Sequence, residues 1–386
     1  MKRIETAVVG GGPAGAAAAC GLAALDREVM LIERSRAPHH KVCGEFLSVE
    51  TQAHLRRLGI DAAALGAAPI GRVSVTAGRR TATADLPFRA LSLSRFRLDH
   101  ALLQRAAERG ADVRRGVSVR AAWRESGGWM LPCDDGETIQ CRHLVLATGK
   151  WGLRGIEDER DTSLVGLKMH FKSTPEMRHA LEGCVELSLF DSTYAGLELV
   201  EEGIANLALL LPRAVVARIG PGWPALHDHL AAVMPSLAER LRGAVPRWDK
   251  PLAVVCPSGG HLQADGGGEA FRIGDRLGHI PPFTGDGLAI ALASAALAVE
   301  HIQQGRTPQA YLAAARRLTA GPIRLASAVS GIAANRVGRT ALMHVASLMP
   351  GLIGTIARRT RLPVPPALPP AEEGHSGRLA MWQSRR

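Results

Sequence analysis

Three groups of side chains in this sequence have types and spacings that could do chemistry. The first is Gly10-x-Gly12-x-x-Gly15, with Pro13 and Ala14 inside it and Glu33-Arg34 closing the next apolar run. The second is Lys41-Val42-Cys43-Gly44-Glu45, dense in reactive side chains for a connecting loop. The third is His279-Ile280-Pro281-Pro282 leading into Gly285-Asp286-Gly287. The first group has a definite reading as a dinucleotide site. One glycine makes a tight turn, the next lets backbone approach a pyrophosphate, and the last lets helix pack on strand. The helix start then offers free N–H groups and a positive dipole end to phosphates, and Glu33 can accept from a ribose diol. Cys43 has only His39 and His40 near it in sequence, so on residues alone a solvated loop with one small buried Cys reads as well as a reactive thiol. His279 could serve as acid or base, and reads equally as a structural loop histidine.

The elements that must position these groups follow from the apolar pattern. Ala7-Val8-Val9 and Val29 to Ile32 read as strands flanking a small-residue helix from Pro13 to about Leu25. Ser48 caps a helix running to about Leu58, and Ile70 to Leu93 reads as a hairpin around Gly78. A helix over His100 to Gly110 precedes short strands at Val113–Val119, Arg120–Arg124, Gly128–Pro132 and Thr138–Ala147. The last ends in Ala147-Thr148-Gly149, a second small-residue turn able to lie against the same dinucleotide. From about Asp161 to Pro257 the character changes. Runs at Leu164–Phe171, Val185–Phe190 and Ala205–Leu211, with one amphipathic helix near Ala225–Arg242, predict a sheet with helical cover, suited to an inserted substrate domain. Strand Phe271–Ile273 then ends in Gly274-Asp275, and a buried helix, too short in its apolar run to span a bilayer, extends to about Gln304. The chain beyond Pro308 is helical and Arg-rich. Its stretch from Ala341 to Arg361 is apolar but broken by His344, Ser347 and Pro350, which predicts an apolar cap over a lipophilic pocket or an interfacial anchor.

The composition limits the function classes. With 386 residues, 46% hydrophobic and 22% charged, the chain is globular and large enough for two joined domains. Its net charge of +11 comes mostly from scattered arginines, and aromatics are only 4%, with no basic run interleaved with stacking rings; nucleic acid is not an expected partner. Six cysteines without CxxC spacing or an adjoining His cluster predict neither a metal site nor a disulfide framework. The chain opens directly on a strand, leaving no room for a signal peptide, so a cytoplasmic location is expected, peripheral to the inner face of the membrane if the C-terminal helices touch it.

Three separated blocks together resemble the FAD-dependent oxidoreductases of the aromatic-hydroxylase (flavin monooxygenase) and geranylgeranyl-reductase superfamily. They are GGGPAG with Glu33, the strand ending in Ala147-Thr148-Gly149, and Ile273 to Gly287. The resemblance implies an α/β fold: a Rossmann-like FAD-binding domain of the GR2 type, an inserted mainly β-sheet substrate domain and a C-terminal helical region. Residues 1–70, 93–160 and 259–305 would form the FAD-binding parts, 71–92 a substrate-domain hairpin and 161–258 the substrate domain. Residues 306–365 would be a helical cap and 366–386 a tail. It further implies that Asp275 holds the ribityl chain, that Gly274 and Gly285 to Gly287 lie beside the flavin, and that Arg95, with Asp99, sits near the cofactor. Lys41-Val42-Cys43-Gly44 is similar to the lysine–cysteine–glycine loop of geranylgeranyl reductases, which passes close to the isoalloxazine.

Two departures bear on the reaction. Thr148 stands where aromatic hydroxylases carry the Asp of an Asp-Gly motif, and Tyr194 alone remains of the Tyr-x-Trp-x-Phe-Pro motif of geranylgeranyl reductases. The expected activity is a monooxygenase, working through a peroxyflavin beside Pro282 to Gly287 on a lipophilic aromatic or polyketide-like molecule of secondary metabolism. The alternative is an ene-reductase of isoprenoid double bonds. A flavin halogenase, for which no Lys lies between Lys41 and Lys150, and a non-catalytic flavin-binding protein are lesser alternatives. NADPH or NADH is the expected electron donor, used directly or through a separate flavin reductase.

Overall fold

The structure is a computed structural model and describes residues 1–125, 127–156, 163–190, 193–256, 260–262 and 268–364. The chain begins with β1 (Lys2–Val9), α1 (Pro13–Ala23) and β2 (Val29–Glu33), and then β3 (Phe46–Leu47) and α2 (Val49–Arg57). The Ser48 hydroxyl accepts from the Thr51 N–H at 3.3 Å and so caps α2. β4 (Ala68–Ala77) and β5 (Arg80–Ser92) form the hairpin around Gly78, and α3 (Arg95–Glu108) follows. This helix starts a turn before the expected position because the Ser94 hydroxyl caps it through the Arg97 N–H. β6 (Asp112–Arg115) is shorter than the expected run to Val119: at Gly116 φ is +76°, and a Cβ there would lie 2.5 Å from the Arg36 side chain. β7 (Trp123–Glu125), β8 (Gly128–Pro132) and β9 (Thr138–Leu146) complete the first half. The expected strand over Arg120–Arg124 is thus reduced to three residues beginning at Trp123.

Among the described residues, seven strands form one sheet in the order β6-β2-β1-β9-β8-β7, with a later strand beside β9. β6, β2, β1 and β9 run parallel, while β8 and β7 are antiparallel additions. α1 packs on this sheet through Ala14, Ala16–Ala19 and Leu22, all buried.

The second half opens with β10 (Leu164–Lys172), α4 (Pro175–Leu181), β11 (Gly183–Phe190), β12 (Thr193–Leu199) and β13 (Ile204–Pro212). α5 (Arg213–Ile219), α6 (Trp223–Val233) and α7 (Pro235–Arg240) cover one face, followed by β14 (Val245–Pro246) and β15 (Leu252–Cys256). The single helix expected over Ala225–Arg242 is therefore two, because Pro235 starts a new helix after the non-helical Met234 (φ −140°, ψ 69°). Among the described residues a nine-stranded sheet results, in the order β14-β10-β13-β12-β11-β4-β5-β3, with β15 also on β10. The hairpin β4–β5, though it precedes most strands of the first sheet in sequence, belongs to this second one.

The chain then gives β16 (His261–Leu262), β17 (Phe271–Arg272) and β18 (Gly278–His279). β17 joins the first sheet beside β9. α8 (Gly287–Gln303) packs against α1 where Gly21 removes bulk: a Cβ there would lie 3.1 Å from the Val299 side chain. α9 (Pro308–Ala334), α10 (Arg336–Leu348) and α11 (Gly351–Arg359) finish the described chain, with α10 and α11 bent by 114° at the break before Gly351. The proline-rich tail beyond Val364 lies outside the described residues. Among those described, no single helix is long and apolar enough to cross a membrane.

Candidate active site

The glycines of the first loop divide by what surrounds them. A Cβ at Gly10, where φ is +109°, would lie 2.4 Å from the Ala147 carbonyl oxygen, and one at Gly15 only 1.8 Å from that of Gly10. One at Gly274, on the turn after β17, would press on Ala14 at 3.0 Å. These positions lock the two small-residue turns and the start of α1 together. Gly12 is different. A Cβ there would meet nothing but the Arg95 guanidinium, 3.8 Å away, so space is kept open over the N-terminus of α1 with a cation at its edge. Arg95 is held there by Asp99, donating through Nε and Nη2 at 2.6 and 2.9 Å, and Lys41 joins the same carboxylate at 3.2 Å.

Glu33 ends β2 facing this space. Its carboxylate accepts the Gly11 N–H at 2.6 Å and the Ser35 N–H at 2.9 Å. Burial alone would raise its pKa, but Lys41 and these backbone donors hold it below the usual carboxylate range. A small recess beside it is lined by Gly11, Glu33, Lys41, Asp99 and Arg115. An acceptor at the ribose end, an open cradle at Gly12 and a guanidinium beside it fit a dinucleotide. Arg34 points outward, its guanidinium 4.9 Å from the Trp151 ring centroid.

Further along, Gly149 has φ +63° and the Thr148 hydroxyl donates to the Trp151 carbonyl at 2.6 Å, fixing the second turn. Asp275 is exposed on its turn, and Lys150, which donates to Cys256 Sγ at 2.9 Å, feels its charge. At the far end Gly287 is exposed at the start of α8, with nothing within 4 Å of where its Cβ would be. Gly285 is required by packing instead: a Cβ would sit 2.6 Å from the Phe46 ring, and φ is +73°.

Asp286 lies between these two glycines, at the start of α8. Its carboxylate is fully buried and accepts from Arg361 at 2.6 Å, so only its backbone is offered toward the cofactor side. Burial pushes this carboxyl up to about 7 against the pull of Arg361. Arg361 also donates to the Thr284 carbonyl at 2.8 Å and lies over the rings of Phe88 and Phe46. The pair therefore fastens the last helix to the first turn of α8.

Next to this end lies a cavity of ≈ 510 Å³. Gly44, Phe46, Pro282 and Gly285 form one end; Val73, Val185, Leu187 and Leu210 form the sheet wall. The roof comes from α10 and α11 through Met343, Ala346, Ile353 and Ile356. Tyr194 and Glu198 also line it, and Glu198 is an acid in an otherwise largely apolar space. Burial pushes the Glu198 carboxyl up to about 8, only partly offset by the hydrogen bond from Asn206. His279 is not among the lining residues of this cavity; it is half-buried and pairs in a short antiparallel ladder with His261.

Behind the Cys43–Gly44 loop is a buried polar network. Glu45 is fully buried at φ +60°, an uncommon conformation for a non-glycine residue. It accepts the Arg95 N–H at 2.6 Å, pairs with the buried Lys168 ammonium and meets His170 Nε2 at 2.8 Å. Burial works against its ionisation, but Lys168 and His170 prevail and hold the carboxyl below the ordinary range. Asn206 Nδ2 donates to Glu198 at 2.7 Å and faces the carbonyls of Cys43 and Gly44 at 3.3 and 3.2 Å. His40 stacks among Phe96, His170 and Trp248, and burial lowers its pKa to about 4. His40, Glu45 and His170 come close enough to suggest a metal triad, but the Lys168 ammonium already occupies the carboxylate.

Glu198 and Asn206 were not among the candidates read from sequence, and Glu45 was read only as part of its loop. The register explains why: His170 on β10, Asn206 on β13 and Glu198 on β12 stand level across three adjacent strands. The signal in the sequence is a polar residue inside each of three apolar runs, joined on β10 by Lys168.

An FAD-binding domain model matches residues 3–175. The match covers the part of the chain that carries the glycine loop, Glu33 and Arg95, and makes that part similar to FAD-binding domains. Among its relatives, it is 26% identical over 321 residues to a menaquinone reductase of Mycolicibacterium smegmatis, covering 78% of this chain and 77% of that one. It is 22% identical to conditioned medium factor receptor 1 of Dictyostelium discoideum over 320 residues, 76% of this chain and 62% of that protein. In fold it is similar to the flavin-dependent brominase Bmp2, with a TM-score of 0.77 at 17% identity over 93% of both chains. The same holds for PqsL of P. aeruginosa in complex with 2-aminobenzoylacetate, with a TM-score of 0.70 at 15% identity over 87% of this chain and 98% of that one.

Proposed function

We propose that this flavoenzyme reduces a carbon–carbon double bond in a lipophilic, isoprenoid-like substrate held in the cavity between the second sheet and α10–α11. The observation that carries this reading is Glu198, a buried acid lining a cavity that is otherwise mostly apolar, its carboxyl pushed up to about 8 by that burial. Reduction of an alkene needs a hydride on one carbon and a proton on the other. Bound FAD, reduced by a nicotinamide dinucleotide or a partner reductase, supplies the hydride. Gly10 to Gly15, Glu33 and Arg95 would hold its nucleotide half, and the Cys43–Gly44 and Pro282–Gly287 segments its ring. Glu198 supplies the proton: protonating a trisubstituted alkene at its less substituted carbon leaves an electron-poor tertiary centre for the hydride. A dry cavity favours this step, because water would otherwise capture that centre. Afterwards the carboxylate regains its proton from solvent. The naming of the mycobacterial relatives as menaquinone reductases agrees with a lipophilic substrate whose tail bears such double bonds.

Monooxygenation remains the second reading, favoured by one feature: the roof of α10 and α11 over an apolar cavity, which shields the ring end from water as an oxygenating flavin requires. The two readings separate in rapid mixing of the reduced enzyme. Reoxidation by a polyprenyl compound without oxygen, with a saturated product, supports the reductase. No anaerobic reoxidation by any polyprenyl compound, together with a long-lived oxygen adduct in aerated buffer, overturns it in favour of the monooxygenase.

A further inference from the structure

The residues from Arg306 to Val364 contain nine arginines and not one Asp or Glu, so this segment supplies nine of the chain's eleven net positive charges. It also carries a concentrated set of exposed large apolar side chains. On α10, Val337 is 81% exposed, Val345 41% and Leu348 70%, spaced to form one stripe along the helix; Met349 at the bend is 64% exposed. The opposite side of the same helix, Leu342, Met343 and Ala346, faces the cavity. Arg336 at the start of α10 and Arg358 and Arg359 at the end of α11 are exposed around this stripe. α10 and α11 together are apolar enough to enter a bilayer; they are bent by 114° at the break between them, and α10 with 13 residues is by itself shorter than a helical span.

We propose that the outer face of α10–α11 docks on an anionic membrane leaflet, with Val337, Val345, Leu348 and Met349 in the acyl boundary and Arg336, Arg358 and Arg359 among the headgroups. Charge complementarity identifies the occupant: a surface with arginines and no acids fits phospholipid phosphates, and the apolar stripe fits the layer beneath them. The location adds a reason. Because the inner side of these helices roofs the cavity, a lipophilic ligand could pass from leaflet to cavity without crossing bulk water. This docking does not depend on which reaction the flavin performs.

The test is cosedimentation of the full-length FAD-loaded protein with vesicles of phosphatidylcholine alone or with roughly one-third phosphatidylglycerol, at low and high salt. Pelleting with the anionic vesicles only, reversed by salt, is expected. Arg358→Gln with Arg359→Gln should weaken that binding about thirtyfold, and Leu348→Ser with Met349→Ser should abolish it. Arg358→Lys with Arg359→Lys should retain it. None of these residues lines the cavity or the nucleotide recess, so flavin content and turnover of a detergent-dispersed substrate should stay unchanged. Equal binding to both vesicle types, or full binding by the Gln pair, overturns the proposal. So does a dimer in lipid-free buffer that Val337→Asp dissociates, since a second copy would then be the natural cover of this face.

Discussion

The Asn206 amide nitrogen lies 2.7 Å from the Glu198 carboxylate while facing the Cys43 and Gly44 carbonyls, so one side chain ties the acid of the cavity to the loop expected beneath the flavin. Whatever moves that loop also moves the acid. Asn206→Leu keeps the volume but removes all three contacts. It should leave FAD bound, shift the pH dependence of turnover, and lower kcat more than it raises KM, as followed by steady-state assays across pH 6 to about 9.

Glu198→Gln keeps hydrogen-bonding capacity and loses the proton. Reduction of the flavin by dithionite should be unaffected, while transfer to an alkene should fall by about 10²–10⁴-fold. In the unsubstituted protein, turnover should decline as pH rises through about 8, because Glu198 then ionises. The same raised value makes a stability prediction. Between its ordinary value of 4.5 and about 8 the folded state holds a proton the unfolded state has lost, so Glu198 contributes a stability that diminishes as pH rises through that window. Glu198→Gln should flatten this slope in urea unfolding.

Lys168→Met strands the Glu45 carboxylate in the interior and should cost about 3–5 kcal/mol of stability. Adding Glu45→Gln should recover much of the loss in urea titrations, since no buried charge then remains unpaired. With both residues native, the depressed pKa of Glu45 gives stability that is present above 4.5 and lost as pH falls through its folded value. Acid unfolding should therefore begin earlier in any variant that weakens this pair less than completely.

Gly12→Ala and Gly15→Ala should differ in kind. The first adds a methyl into open space beside Arg95, so the melting temperature should hold while FAD affinity, read by flavin fluorescence quenching, drops steeply. The second forces a Cβ to 1.8 Å from the Gly10 carbonyl and should prevent folding of the first sheet around α1.

Removing the Arg361–Asp286 tie tests the roof. Arg361→Met leaves a buried acid that burial already pushes to about 7, so the carboxyl should take up a proton rather than remain charged. α11 should then loosen, visible as faster proteolysis after Arg358 and Arg359, and Asp286→Asn in the same chain should change that rate little, because the carboxyl is already neutral.

The sequence by itself determined the nucleotide end. The order of apolar run, glycine loop, small-residue helix, second run and Glu33 is local, and each part acts on neighbours in the chain, so the Gly11–Glu33 bond and the α1 start follow from spacing alone. The helical cap was legible for the same reason, since its apolar stretch between arginines lies in one segment. Strand ends and the division of α6 from α7 were less so, because Gly116 and Pro235 end elements through local backbone limits that outweigh the apolar pattern. The acid of the cavity and the network behind the loop were decided only by tertiary structure. Glu45, Lys168, His170, Glu198 and Asn206 come from four separate segments, and only the register of β10, β13 and β12 makes them neighbours. Likewise Asp286 reads from sequence as part of a cofactor loop, and only the return of Arg361 from the far end of the chain turns its carboxylate into a fastening for the roof.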